Sequence, residues 1–133
     1  MRSLDTNCLL RWLLNDIPDQ ADMVSRVLAQ QGRCDVADVA LVEVAFVLEK
    51  RLGLSRATVS ASLDLLVADP RFVFDKRLWS GVLADYLDHP KLSLVDIYLA
   101  GRARADVGGD LLTFDRLLAS QSSGVRLVPD VLG

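Results

Sequence analysis

Runs of only three or four residues that read as strands recur along this chain, and the first four are each followed by a stretch with helical spacing. Arg2-Ser3-Leu4 runs straight into Asp5 and the stripe Leu9, Leu10, Leu13, Leu14. Cys34-Asp35-Val36-Ala37, Arg71-Phe72-Val73-Phe74 and Leu111-Leu112-Thr113 repeat the pattern, and Val125-Arg126-Leu127-Val128 reads as a last strand. Strands too short to stand alone, alternating with helices, predict an α/β fold with a small, mostly parallel central sheet of about four to five strands. In such sheets ligands sit beyond the carboxyl ends of the strands. Asp5 follows the first strand and Asp115 the fourth, so both reach that edge if those strands are neighbours.

The punctuation between these runs is specific. Asn15-Asp16-Ile17 ends the first helix, and Pro18 can open the second, whose stripe is Met23, Val24, Val27 and Leu28. Gly32 stops it. Asp38 is placed to cap a long apolar helix from Val39 to Leu52, ended by Gly53. Ser55 starts another, with Val59, Leu63, Leu66 and Val67 on one face. Asp75 opens the next, lined by Leu78, Trp79, Val82, Leu83, Tyr86 and Leu87, and His89-Pro90 breaks it. Ser93 begins a helix to about Ala105, Gly108-Gly109 is a turn, and a helical turn runs from Asp115 to Ala119.

At 133 residues, 51% of them hydrophobic, the chain is expected to fold as one domain, residues 1–133. It has no apolar run of transmembrane length and no basic-then-apolar leader, which predicts a cytoplasmic protein with no membrane association. Cys8 and Cys34 are too few for a disulfide scaffold or a zinc site and read as buried thiols. The single His89 leaves no partner for zinc hydrolysis or a His-based triad. A net charge of −3 and a pI near 5.0 argue against a passive nucleic-acid binder. No glycine-rich phosphate loop follows the first strand.

Four carboxylates then stand out: Asp5, Glu43, Asp96 and Asp115. Each has a plain structural explanation. Asp5 and Asp115 fit helix N-caps, and Ser93-Leu94-Val95-Asp96 fits a capping box. Glu43 is the one charge in the apolar run from Val39 to Leu48; buried there, it must be paired, protonated or metal-bound. Either an arginine partner or a metal answers that need, and the metal is preferred. Asn7 and Thr113 can support neighbouring carboxylates or metal-bound waters. Arg116 can contact a phosphate or complement an acid. Carboxylates gathered in one pocket repel unless protons or a cation neutralise them, and all-oxygen ligation favours Mg²⁺ or Mn²⁺.

Leu4-Asp5-Thr6-Asn7, Val42-Glu43-Val44-Ala45 with Leu48, Leu94-Val95-Asp96 and Leu112-Thr113-Phe114-Asp115-Arg116 together resemble a PIN-domain ribonuclease, within that group a VapC-type toxin of a type II toxin–antitoxin pair. The likeness extends over essentially the whole chain and implies a three-layer α/β/α PIN-like fold. It implies Mg²⁺- or Mn²⁺-dependent endonucleolytic cleavage of RNA, with Asp5, Glu43, Asp96 and Asp115 as catalytic metal ligands and Asn7 and Thr113 in support. It also implies a homodimer and a cognate antitoxin. An apolar groove using Trp12 or Trp79 could receive that partner, or both rings could be core.

Two other readings stay open. A haloacid-dehalogenase-type phosphatase would use Asp5 as nucleophile, but the residue two positions on is Asn7 rather than Asp, and Gly109-Asp110 precedes a strand instead of following one. A catalytically inactive PIN-like interaction module would keep the acids without the chemistry.

Overall fold

The structure, a computed structural model, describes residues 1–106 and 108–132. It divides into two compact units, Met1–Lys76 and Arg77–Gly133.

The first unit begins with β1 (Arg2–Leu4), α1 (Thr6–Leu14) and α2 (Pro18–Gln31). Asn15, in the left-handed region at φ 50°, ends α1 and donates its N–H to the Arg11 carbonyl at 3.0 Å. Pro18 then opens α2 at a position that needs no N–H donor. Gly32, at φ 74°, closes α2, and β2 (Cys34–Val36) follows. Next come α3 (Asp38–Phe46), a π-helical turn (Val47–Arg51), α4 (Arg56–Ala68) and β3 (Phe72–Val73). The three strands are parallel in the order β1-β2-β3, with Ser3 opposite Asp35 and Asp35 opposite Val73. Leu9, Leu28, Leu41, Val44, Leu48, Val59, Leu63, Leu66 and Phe72 are buried. Ser55 caps α4 by accepting the Thr58 N–H at 3.2 Å.

At the far end of α4, Lys76 Nζ donates to the carbonyls of Leu66, Val67 and Asp69, each at 2.9 Å. An ammonium thus sits at the carbonyl end of the helix, where positive charge is favoured. Its burial pushes the Lys76 pKa down, while the Asp69 charge opposes the shift. Arg71 grips Asp69 through two nitrogens, at 3.0 and 2.8 Å, and holds that carboxyl below its ordinary range.

The second unit carries α5 (Lys76–Asp88), whose first residue belongs to the preceding unit, and α6 (Leu94–Asp106). It continues with β4 (Leu111–Thr113), α7 (Arg116–Gln121), β5 (Val125–Leu127) and α8 (Val128–Leu132). β4 and β5 are parallel, in register from Leu111 opposite Val125 to Thr113 opposite Leu127. Trp79 and Tyr86 are almost wholly buried, and Trp79 stacks on Tyr98 with centroids 5.4 Å apart. α6 approaches α5 closely at Gly101, where an added Cβ would meet Leu78 and Val82 side chains at 3.4 Å. Arg104 pairs with Asp85 at 3.5 Å and donates to the Ser123 carbonyl.

The α/β class expected of the sequence is what the chain adopts: mostly helical, with small parallel sheets. Among the described residues five strands pair in parallel ladders of three and of two. Several particulars differ. The long helix from Val39 breaks at Val47 into the π-helical turn, and its N-cap is Ala37, with Asp38 inside the first turn. α8 was not foreseen. Met23 and Leu87, placed on buried stripes, are 51% and 47% exposed. Trp79 is core and unavailable to a surface groove, and the half-buried Trp12 packs edge-on against Phe72 at 4.8 Å. Among the described residues no helix is long and apolar enough to cross a membrane.

Candidate active site

In the first unit the candidate acids are Asp5 and Glu43. Asp5 sits where β1 ends and α1 begins. Its Oδ1 accepts the Cys8 N–H at 2.9 Å, so it caps the helix. That bond, with further hydrogen bonds from the Cys8 thiol and the Asn7 N–H, lowers the Asp5 pKa against a small opposing cost of desolvation. The carboxylate is therefore ionised near neutrality although it belongs to a cap. Cys8 responds oppositely: desolvation first, then its hydrogen bond to Asp5, raises the thiol pKa and keeps it protonated. The expectation that both thiols are buried holds for Cys34, whereas Cys8 is half-buried.

Asp5, Asn7 and Cys8 line a cavity of about 350 Å³ together with Arg11, Gln20, Met23 and Val24. α1 supplies one wall and α2 the other. Arg11 is committed to Asp16, with which it forms an ion pair that lowers the Asp16 pKa. Gln20 and Met23 line the cavity without any signal in the sequence, because Gln20 carries no motif and Met23 fits an apolar stripe.

Glu43 departs from its expected setting. It is exposed, not buried, and so are Val39 and Phe46 on the same helix. The argument that burial forces Glu43 to find a partner fails, and it is not among the residues lining the cavity at Asp5.

In the second unit, Asp96 lies half-buried in the first turn of α6, its N–H donating to Ser93 Oγ at 3.2 Å. That is the serine half of the expected capping box. Asp115 is the exposed N-cap of α7; its Oδ1 accepts the Leu118 N–H at 3.0 Å. Thr113 Oγ1 accepts the Asp115 backbone N–H at 2.9 Å. Arg116 lines a second cavity of about 350 Å³ with Ser120, Arg126 and Asp130. Gly109 and Asp110 precede β4, as the phosphatase alternative does not allow.

Among the described residues no three His, Cys, Asp or Glu side chains are gathered as a metal site. The chemistry of the donors nonetheless suits one kind of ion. Asp5 offers ionised carboxylate oxygen beside the Asn7 amide, and the sulfurs that share the cavity are the protonated Cys8 thiol and the Met23 thioether. Hard oxygen donors of this kind fit Mg²⁺ or Mn²⁺ and not zinc.

No curated protein and no solved structure matches the chain significantly. The protein-family model described as PIN domain does match, over residues 3–122. PIN domains are generally nucleases, a class of hydrolases that typically use divalent metals. A strand-to-helix Asp5 beside a cavity and a second capped junction at Asp115 both fall inside that span, and the chain belongs to the PIN domain family.

Proposed function

We propose that the protein is a Mg²⁺- or Mn²⁺-dependent endoribonuclease, the toxin of a toxin–antitoxin pair, working in the cytoplasm as a homodimer under the control of a cognate antitoxin. The observation that carries the reading is the family match, because residues 3–122 include Asp5, Glu43, Asp96 and Asp115.

Asp5, Glu43, Asp96 and Asp115 are the proposed ligands. A bound divalent ion would lower the pKa of a water and offset negative charge developing on the scissile phosphate. Asp5 brings to this an oxygen already ionised and an orientation fixed by its hydrogen bond to Cys8. Asn7 orients an amide toward the same cavity. Thr113 fixes the Asp115 backbone, so that this carboxylate leaves the helix start in one direction. Whichever carboxylate oxygen is not occupied by ligation or capping accepts the proton of the attacking water.

The test is cleavage of structured RNA by the purified chain with Mg²⁺, with Mn²⁺ and with a chelator, alongside Asp5→Asn. Cleavage in either metal, none with the chelator, and a loss on the order of 100-fold or more in the variant are expected. Equal background activity in both proteins would instead mark an inactive interaction module.

A further inference from the structure

The cavity beside Asp5 contains more than a metal-binding acid requires. Gln20 and Asn7 line it with side-chain amides that make no hydrogen bond to the protein among the described residues. Met23, half exposed, and the buried Val24 add an apolar surface from α2. Met23 lies on the stripe that also carries the buried Val24 and Leu28, and half of its surface is open to the cavity side or solvent. Its flexible, polarisable side chain suits the face of a flat ring.

The charges choose among possible occupants. Arg11 is paired with Asp16, and the other residues lining the cavity carry no positive charge, so its side chains offer a phosphate no free cation. A neutral group is favoured. Each free amide offers both a donor and an acceptor, as the edges of nucleobases require. Unpaired bases in RNA are recognised in this way, by edge hydrogen bonds together with packing against their faces. A volume of about 350 Å³ lies in the range of small-ligand sites.

We propose that this cavity is a base-reading subsite: it takes one unpaired nucleobase of the RNA, hydrogen-bonded by Gln20 with Asn7 and packed against Met23 and Val24. The inference rests on the nuclease reading for its substrate class, but not for its geometry. Gln20 and Met23 set which nucleotide stands beside the cut, and they do so without touching the reacting atoms.

The probes are the four nucleosides, with ribose 5-phosphate as the control, added to the full-length protein in chelator and followed by NMR. Saturable shifts of the Gln20 and Asn7 side-chain amides and the Met23 methyl with at least one nucleoside, and none with the control, are expected. Gln20→Ala and Met23→Ala should each weaken that binding by roughly fivefold to tenfold. Under cleavage conditions Gln20→Ala should alter the nucleotide preference at the cut while total cleavage stays within about threefold of the parent, as befits lost positioning rather than lost chemistry. Failure of every nucleoside to bind, equal response to ribose 5-phosphate, or unchanged binding in both variants overturns the proposal. Nucleoside binding without RNA cleavage would keep the subsite and sink the nuclease reading; cleavage without nucleoside binding would do the reverse.

Discussion

The two strand-to-helix junctions of this protein use the same local device in different surroundings. Asp5 follows β1 and Asp115 follows β4, and each caps the next helix by accepting the N–H three residues on, at 2.9 and 3.0 Å. At the first junction Asp5 comes directly after the buried Leu4, and its carboxylate opens on a cavity walled by α2. At the second, Phe114 intervenes, 77% exposed, and the helix that follows has six residues instead of nine. Capping accounts for the backbone at both places. Only what surrounds the cap separates a site from a helix start.

The largest expected effect comes from replacing each aspartate by asparagine. Asparagine caps about as well as aspartate, so stability should change by no more than about 0.5 kcal/mol at either junction. Activity should fall on the order of 100-fold at each if both are metal ligands. RNA cleavage rates and urea midpoints, measured on Asp5→Asn and Asp115→Asn, check both halves. If Asp115→Asn cleaves like the parent, the second junction is a cap alone and the likeness between the two ends there.

Much of this geometry was legible in the chain. Turn chemistry announced the helix limits, because Asn15, Pro18, Gly32 and Ser55 occupy backbone positions that few other residues suit. Both junction aspartates were found by the same logic. Burial was harder to read. α3 is apolar on nearly every side, so its sequence does not say which face is outward, and Glu43 proves to share an exposed face with Val39 and Phe46. Met23 shows a related limit: periodicity places it on the apolar stripe of α2, but does not record whether a neighbouring helix covers all of that stripe. The division of the strands into two ladders was equally hidden, since strands of two or three residues carry too little pattern to fix their pairing.

Alanine in place of the two aspartates should produce a smaller but more unequal response. Loss of a cap typically costs about 1 kcal/mol. α1 is held by the buried Leu9 and Leu10, whereas α7 has only Leu118 buried. Asp115→Ala is therefore expected toward about 2 kcal/mol and Asp5→Ala nearer 1, because a short helix with little packing depends more on its ends. Urea denaturation of the two variants decides it. A larger loss at Asp5 would mean that α1, not α7, is the helix that its cap holds in place.

The smallest effect separates the hydroxyls two residues before each aspartate. Ser3 Oγ donates to Asp35 across the β1–β2 ladder at 3.0 Å, and takes no part in the junction that follows. Thr113 Oγ1 instead accepts the Asp115 N–H at 2.9 Å, and so fixes the backbone from which the carboxylate projects. Ser3→Ala removes an exposed hydrogen bond that water can replace, and should cost no more than about 0.5 kcal/mol without changing cleavage. Thr113→Val keeps the shape and branching of the strand residue but leaves an N–H at the junction without its acceptor. It should cost about 1 kcal/mol and slow RNA cleavage by roughly threefold to tenfold, because Asp115 gains freedom to turn away. The pair of ratios matters more than either number. Equal small losses, with cleavage untouched in both, would show that the hydroxyl at the second junction does no more for its aspartate than the serine does at the first.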